Sequence, residues 1–249
     1  MSLTRRSFVE SALGLAAAAT VGDRIMSAAE PAAARPVGPN DKIRVAVVGV
    51  GPTGRGFSHI AGWLGNPGAD LVAICDCDPE AEGRVAKRLE KQPVKPRFEK
   101  DIRRLLEDKS IDVISIATPN HWHALMSIWA MQAGKDVYVE KPCSHNVEEG
   151  RVTTQWARKL GKICQMGAQS RSMTGMRQAI EFIHSGAIGK VSLAHALCYK
   201  RRKSIGLVDT PAPLPAGLDF DLWAGPAPAV VPHRRRCRGD EPRKRQTFR

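Results

Sequence analysis

The sequence predicts an α/β protein: a parallel sheet doubly wound by helices, followed by the incomplete start of a second, α+β domain. Three observations carry this prediction. Short apolar runs alternate with helix-compatible stretches from Lys42 to Met166. A Gly-rich turn, Gly49 to Gly54, joins the first run to the first such stretch. Beyond Gly186 the alternation gives way to one longer, partly alternating segment and then to a Pro-rich stretch. Strands alternating with helices at this spacing indicate a parallel sheet covered on both faces.

Taken in order, "KIRVAVVGVG" from Lys42 begins as a continuous apolar run, the pattern of a strand buried on both sides. Arg55 to Leu64 can then be helical, and "ADLVAICD" is a second strand. Pro79 to Lys91 reads as a charged surface helix with Pro at its first position, where a missing N–H is tolerated. Asp101 to Asp108 is another helix and "IDVISIAT" another buried strand. Asn120 is a suitable cap for a helix running through Ala133 and stopping at Gly134. "DVYVE" and "KICQM" supply two more strands, with a helix over Val147 to Leu160 between them. After Gly186, "GKVSLAHALCYKRR" resembles the first strand of a different sheet, and the Pro-rich run that follows holds no further convincing element.

The chain of 249 residues is 43% apolar and 25% charged, which is the composition of a globular protein and leaves disorder for the ends. Its formal charge of +13 would suggest a polyanion partner if it were concentrated. The last seventeen residues, His233 to Arg249, hold eight Lys/Arg and two Asp/Glu, and the remaining +7 is spread over 232 residues with no basic stripe interleaved with aromatics. Nucleic-acid binding is therefore not expected. That tail has no periodicity and changes composition abruptly, as translation in the wrong frame would. The six cysteines, Cys75, Cys77, Cys143, Cys164, Cys198 and Cys237, show neither a CxxC pair nor a regular framework.

At the N-terminus Arg5 and Arg6 are paired, Phe8 follows, and Ser11 to Gly22 is uncharged and Ala-rich. The run is too short and too weakly apolar to span a bilayer, but the order matches a twin-arginine export signal. The expected organisation is residues 1–34 as signal and linker, 35–165 as a cofactor domain, 166–230 as the beginning of a substrate and dimerisation domain, and 231–249 as the basic tail. The expected location is periplasmic or extracellular, with the twin-arginine machinery as a partner and no membrane span.

Gly49-Val50-Gly51-Pro52-Thr53-Gly54 matches GxGxxG, which means little alone. Here it follows a buried strand, opens a helix, and has Asp76 at the end of the next strand, so it reads as a dinucleotide fingerprint in a Rossmann domain. Gly49 permits the tight turn, Gly51 lets backbone approach the pyrophosphate, and Gly54 is expected to let the helix pack close to the strand. Asp76 is placed to accept hydrogen bonds from the adenosine ribose; a plain strand-end turn is its alternative role. Cys77 follows it with no adjacent arginine to meet a 2'-phosphate, which favours NAD over NADP. At a later strand end, "TPNHWH" puts Thr118, Pro119 and Asn120 along the nicotinamide half of the crevice. His121 and His123 invite a metal reading, but no carboxylate or Cys pair completes a ligand spacing, so packing or capping is the expected role.

The order GxGxxG, acidic end of the second strand, "TPNHWH", "AGKDVYVEKP", then a helix, resembles the glucose-fructose oxidoreductase and inositol dehydrogenase (Gfo/Idh/MocA) family, over about Lys42 to Pro228. The resemblance implies that Lys141, in the EKP triplet, lies between nicotinamide and the reacting carbinol and helps to move its proton, with Glu140 and Pro142 fixing the strand end. An ammonium partly desolvated beside a positive ring is a usable acid or base. "MGAQSRS" and "YKRRKSIG" also resemble the secreted branch of the family; Gln169 is implied as a cofactor or substrate contact, and Lys200 to Lys203 read as a solvated basic strand end, with an anionic or sugar ligand as the alternative. The candidate cofactor set is Gly49, Gly51, Pro52, Thr53, Gly54, Asp76, Thr118, Pro119, Asn120, His123, Glu140, Lys141 and Gln169, with Lys141 catalytic and no metal.

The implied activity is hydride transfer between NAD and a carbinol of a sugar or cyclitol. The alternatives are an NAD-dependent glycosidase of the same family and a non-catalytic dinucleotide-binding remnant. Family members continue into a large, mostly antiparallel sheet that forms the substrate wall and often a homo-oligomer interface. This chain is expected to be truncated after the first strand of that sheet, which leaves its second part loosely ordered.

Overall fold

A computed structural model of the chain describes residues 38, 41–52, 54–198 and 214–228. The paired arginines of the expected signal, Thr53, Lys200 to Lys203 and the basic tail lie outside the described residues. The chain divides into two compact units, which among the described residues comprise 38–166 with 214–228, and 167–198.

The first unit is the parallel sheet. Its strands are β1 (Ile43–Val48), β2 (Ala69–Cys75), β3 (Arg97–Glu99), β4 (Val113–Ile116), β5 (Asp136–Val139) and β6 (Cys164–Met166), in the order β3-β2-β1-β4-β5-β6 with every pairing parallel. The helices between them are α1 (Gly56–Leu64), α2 (Glu80–Leu89), α3 (Ile102–Glu107), α4 (His123–Gln132) and α5 (Val147–Leu160). The doubly wound fold is the one expected from the alternation of apolar runs. Val47 packs with Ile60 of α1 and Val85 of α2, whereas Ala46 and Val48 pack with Leu105 of α3, Met126 of α4 and Trp156 of α5. Burial on both faces is what makes β1 read as an uninterrupted apolar run.

Local chemistry explains the boundaries. Asn146 accepts from the Glu149 N–H at 2.9 Å and starts α5, and Gly161 at φ 59° ends it. Asn120 does not cap the next helix as expected. Asn120–Trp122 form a 3-10 turn with no side-chain cap, and α4 begins only at His123.

Three features depart from the sequence reading. β3 was not foreseen, being three residues, two of them charged, on the sheet edge. Residues 214–228, expected with the second domain, belong to the first unit. They carry a short helix, α7 (Phe220–Ala224), whose Leu222 and Trp223 carbonyls each accept from the Trp122 indole N–H at 3.1 Å. Gly225 lies so close to Trp122 that a Cβ there would meet its ring at 2.1 Å. The second unit holds a 3-10 turn (Gln169–Ser172) and α6 (Thr174–His184). Residues 189–198 do not form the expected strand; among the described residues they have no strand to pair with.

Candidate cofactor site

Register brings the site together. Val48 pairs with Cys75 and with Ile116, and Ile116 pairs with Val139, so Gly49, Asp76, Ala117 and Glu140 all follow one row at the carboxyl edge of the sheet. Strand order reverses between β1 and β4, and open parallel sheets bind their ligands at that switch point.

Gly49 has φ 88°, and a Cβ there would fall 2.6 Å from the Thr118 backbone nitrogen; only glycine makes this turn against β4. Gly51 faces open space, with nothing within 4 Å of where a Cβ would stand. The close helix-to-strand approach expected of Gly54 belongs instead to Gly56. A Cβ on Gly54 would meet its nearest neighbour at 3.7 Å, an ordinary contact, whereas one on Gly56 would meet the Gly49 carbonyl oxygen at 2.1 Å. The motif therefore extends one glycine further than GxGxxG. Pro52 is exposed in the loop, and the first turn of α1 has no side-chain cap.

Asp76 accepts from the Val50 N–H through Oδ2 at 2.8 Å and from the Asp78 N–H through Oδ1 at 2.9 Å. Burial pushes its carboxyl above the ordinary value, and those two N–H groups partly offset the push. Next to it, burial raises the Cys77 thiol to about 12, which keeps that sulfur protonated and unreactive. An arginine does reach this turn, although none adjoins Asp76 in sequence: Arg84 of α2 pairs with Asp78 at 2.7 Å.

On the other half of the crevice, Pro119 and Asn120 are exposed and Thr118 is half-buried, its Oγ1 lying 3.9 Å from the Met126 sulfur. His123 does not face the crevice. Its ring is 2% exposed, and its two nitrogens meet the Thr118 carbonyl at 2.8 Å and the Pro142 carbonyl at 2.6 Å. It ties the segments that follow β4 and β5 to each other. His121 meets the Trp223 carbonyl at 3.0 Å.

Glu140 is likewise turned away from solvent. Its side chain, 5% exposed, turns inward, where Oε2 accepts from the Lys141 N–H at 3.0 Å. Oε1 lies 3.4 Å from Arg55 Nε and 3.5 Å from His59 Nε2. The other nitrogen of His59 meets the Ser115 hydroxyl at 2.9 Å, which also accepts from the Trp63 indole N–H at 2.8 Å. Burial holds the His59 imidazole below its ordinary value of 6.5 despite the Glu140 carboxylate. Lys141 itself, before a cis peptide bond to Pro142, is exposed, so the partial desolvation expected of it is not a property of the chain alone. Gln169 opens the 3-10 turn of the second unit. Arg55, Gly56, His59, Ser115 and Arg84 were not foreseen. Gly56 carried the one available signal, as a fourth glycine two residues beyond the motif.

Residues 43–168 match the profile of the Gfo/Idh/MocA family, described as "Oxidoreductase family, NAD-binding Rossmann fold". The chain belongs to this family. Among curated Gfo/Idh/MocA-like relatives, a glycosyl hydrolase family 109 protein of Shewanella pealeana is 30% identical over 207 residues, covering 77% of this chain and 45% of that protein. The scyllo-inositol 2-dehydrogenase (NAD(+)) of Bacillus subtilis is 34% identical over 150 residues, covering 60% of this chain and 42% of that enzyme. Thus the chain spans less than half the length of these curated relatives. Among solved structures, the myo-inositol 2-dehydrogenase of Lactobacillus plantarum superposes with a TM-score of 0.55 at 27% identity, over 61% of this chain and 43% of that one. The WlbA dehydrogenase of Chromobacterium violaceum, solved with NADH and UDP-GlcNAcA, gives 0.55 at 25% identity, over 62% and 43%.

NAD is the cofactor of the family, and the residues present fit it. The positive-φ Gly49, the open face of Gly51, the uncapped start of α1 and a strand-end carboxylate at Asp76 form a cradle for pyrophosphate and ribose. Among the described residues no group of three or more His, Cys, Asp or Glu could hold a metal ion, and no helix is long and apolar enough to cross a membrane.

Proposed function

We propose that this chain carries the cofactor half of an NAD-dependent oxidoreductase acting on a carbinol of a sugar or cyclitol, with Lys141 as its acid/base. The observation that carries the reading is the shared sheet edge, which sets Lys141 one residue beyond the row holding Gly49 and Asp76. Bound NAD supplies the hydride acceptor. The amine of Lys141 binds the carbinol hydroxyl and takes its proton as the C–H hydrogen departs with its electron pair. Glu140 holds the Lys141 backbone through its N–H, and His123 holds the following Pro142 carbonyl, so the lysine is presented from a strand end fixed on both sides.

Lys141→Ala is expected to lower turnover by at least about a hundredfold while NAD affinity stays within about twofold. Steady-state rates and a cofactor titration on the same preparation check this, and full activity in the variant refutes the role. A second reading, NAD-dependent glycoside cleavage, draws on the 207-residue match to a glycosyl hydrolase family 109 protein. Hydrolysis without net NADH favours it; NADH formed in proportion to product favours the dehydrogenase.

The same proposal includes export of the folded, cofactor-loaded chain through its Arg5-Arg6 signal, followed by a periplasmic or extracellular life. Replacing both arginines with lysine is expected to retain the protein in the cytoplasm, as fractionation would show. Continued export of that variant removes the signal reading. A homo-oligomer is a further part of this proposal, checked by light scattering.

A further inference from the structure

We propose that the Asp78–Arg84 ion pair sets the preference between the two dinucleotides, because it ties up the guanidinium that a 2'-phosphate would need. The inference rests on the dinucleotide reading of the site. Asp78 belongs to the ribose turn itself, since its N–H donates to Asp76 Oδ1 at 2.9 Å. Its own Oδ1 accepts from the Glu80 N–H at 3.0 Å, which fixes the carboxylate at the start of α2. Its Oδ2 takes Arg84 Nη2 at 2.7 Å, and Glu80 takes Nη1 at 3.5 Å. Arg84 Nε is buried without a hydrogen-bond partner among the described residues, so the pairing with Asp78 and Glu80 leaves one donor of the guanidinium unsatisfied.

A second cation at this end of the sheet is treated the same way. Lys100, just beyond β3, pairs with Asp219 at 3.0 Å, and the Asp219 N–H donates to the Cys77 carbonyl at 3.4 Å. Each of these two cations is thus matched to an acid before any ligand arrives. A 2'-hydroxyl needs only the Asp76 carboxylate. A 2'-phosphate, carrying about −1.5 to −2 charges at neutral pH, meets two aspartates and an arginine that is already engaged. Asp78 is therefore a specificity-determining residue, acting through Arg84.

The test measures Kd for NAD and for NADP by calorimetry, on the full chain and on Asp78→Asn, Asp78→Ser and Asp78→Asn/Arg84→Ala. Asn and Ser both keep an acceptor for the Glu80 N–H, and thermal melting checks that each variant folds. The Asp78 variants are expected to move the NADP-to-NAD ratio about tenfold toward NADP, and the added Arg84→Ala is expected to return it to the parental value. An unmoved ratio in both single variants overturns the inference, as does a shift that survives the loss of Arg84. If the parent chain binds neither dinucleotide, the cofactor reading falls and this inference with it; a parent that binds NAD while the ratio stays fixed removes this inference alone.

Discussion

Asp76 and Glu140 follow the last residues of β2 and β5 in one row of the sheet, and both are acids at the rim of the same crevice. Their surroundings differ in kind. Asp76 is satisfied by two backbone N–H groups from its own and the neighbouring turn, at 2.8 and 2.9 Å. Glu140 meets, besides the Lys141 N–H, two side chains from the start of α1, Arg55 just before it and His59 in its first turn. A carboxylate held by backbone is poised by the fold and keeps its outer face for a ligand. One enclosed by side chains has become part of the scaffold, and its work is to hold the adjacent lysine.

The strongest way to break this contrast is Glu140→Ala. It leaves the Lys141 N–H and the buried His59 without their acceptor, so a loss of about 3 kcal/mol in stability is expected, together with loss of turnover. Glu140→Gln keeps an acceptor of the same shape and is expected to cost about 1 kcal/mol. Urea titrations of the two variants separate shape from charge. Equal stability of Glu140→Ala and the parent would show that these contacts do not hold the strand end.

The difference between the two acids also marks what could be read in advance. Asp76 was legible because its partners are local: a glycine turn, a strand and the turn that follows all carry period and composition signals. Glu140 was legible only as part of a triplet, since Arg55 and His59 reach it through the fold from 85 and 81 positions away in the chain, and Ser115 acts on it only through His59. The same holds for α7, five residues inside a Pro-rich stretch, whose place depends on Gly225 meeting the Trp122 ring. β3 offered neither length nor alternation, so pairing with β2 alone defines it. The Gly54 and Gly56 roles were exchanged because the motif counts residues, whereas close approach depends on which Cβ would strike the Gly49 carbonyl.

A smaller effect is expected on the ligand side. Asp76→Ser removes the carboxylate but retains one hydroxyl for the turn, and if that carboxylate holds the ribose, NAD affinity is expected to fall about tenfold, or about 1.4 kcal/mol, with stability changing by less than that. A cofactor titration beside a melting curve decides the matter. An unchanged Kd would assign Asp76 to the turn alone.

The smallest expected effect is on pH dependence, where the two sites carry opposite signs. His59 is held below 6.5 by burial, so between 6.5 and its folded value the unfolded chain binds more protons than the native one. Its contribution to stability is present above pH 6.5 and is lost as pH falls through the folded value. Asp76 is displaced the other way, upward from 3.8 by burial, so its contribution is complete below pH 3.8 and is lost as pH rises through its folded value. His59→Gln is therefore expected to flatten the fall in stability on acidification just below pH 6.5, with no change in NAD affinity, because Glu140, Arg55 and His123, the charged or titratable groups that act on His59, are left in place. If denaturation midpoints measured at pH 7.5 and 5.5 keep the same spacing in the variant as in the parent, the acid sensitivity belongs elsewhere, and the Glu140 network is stabilised by packing more than by the protonation state of its histidine.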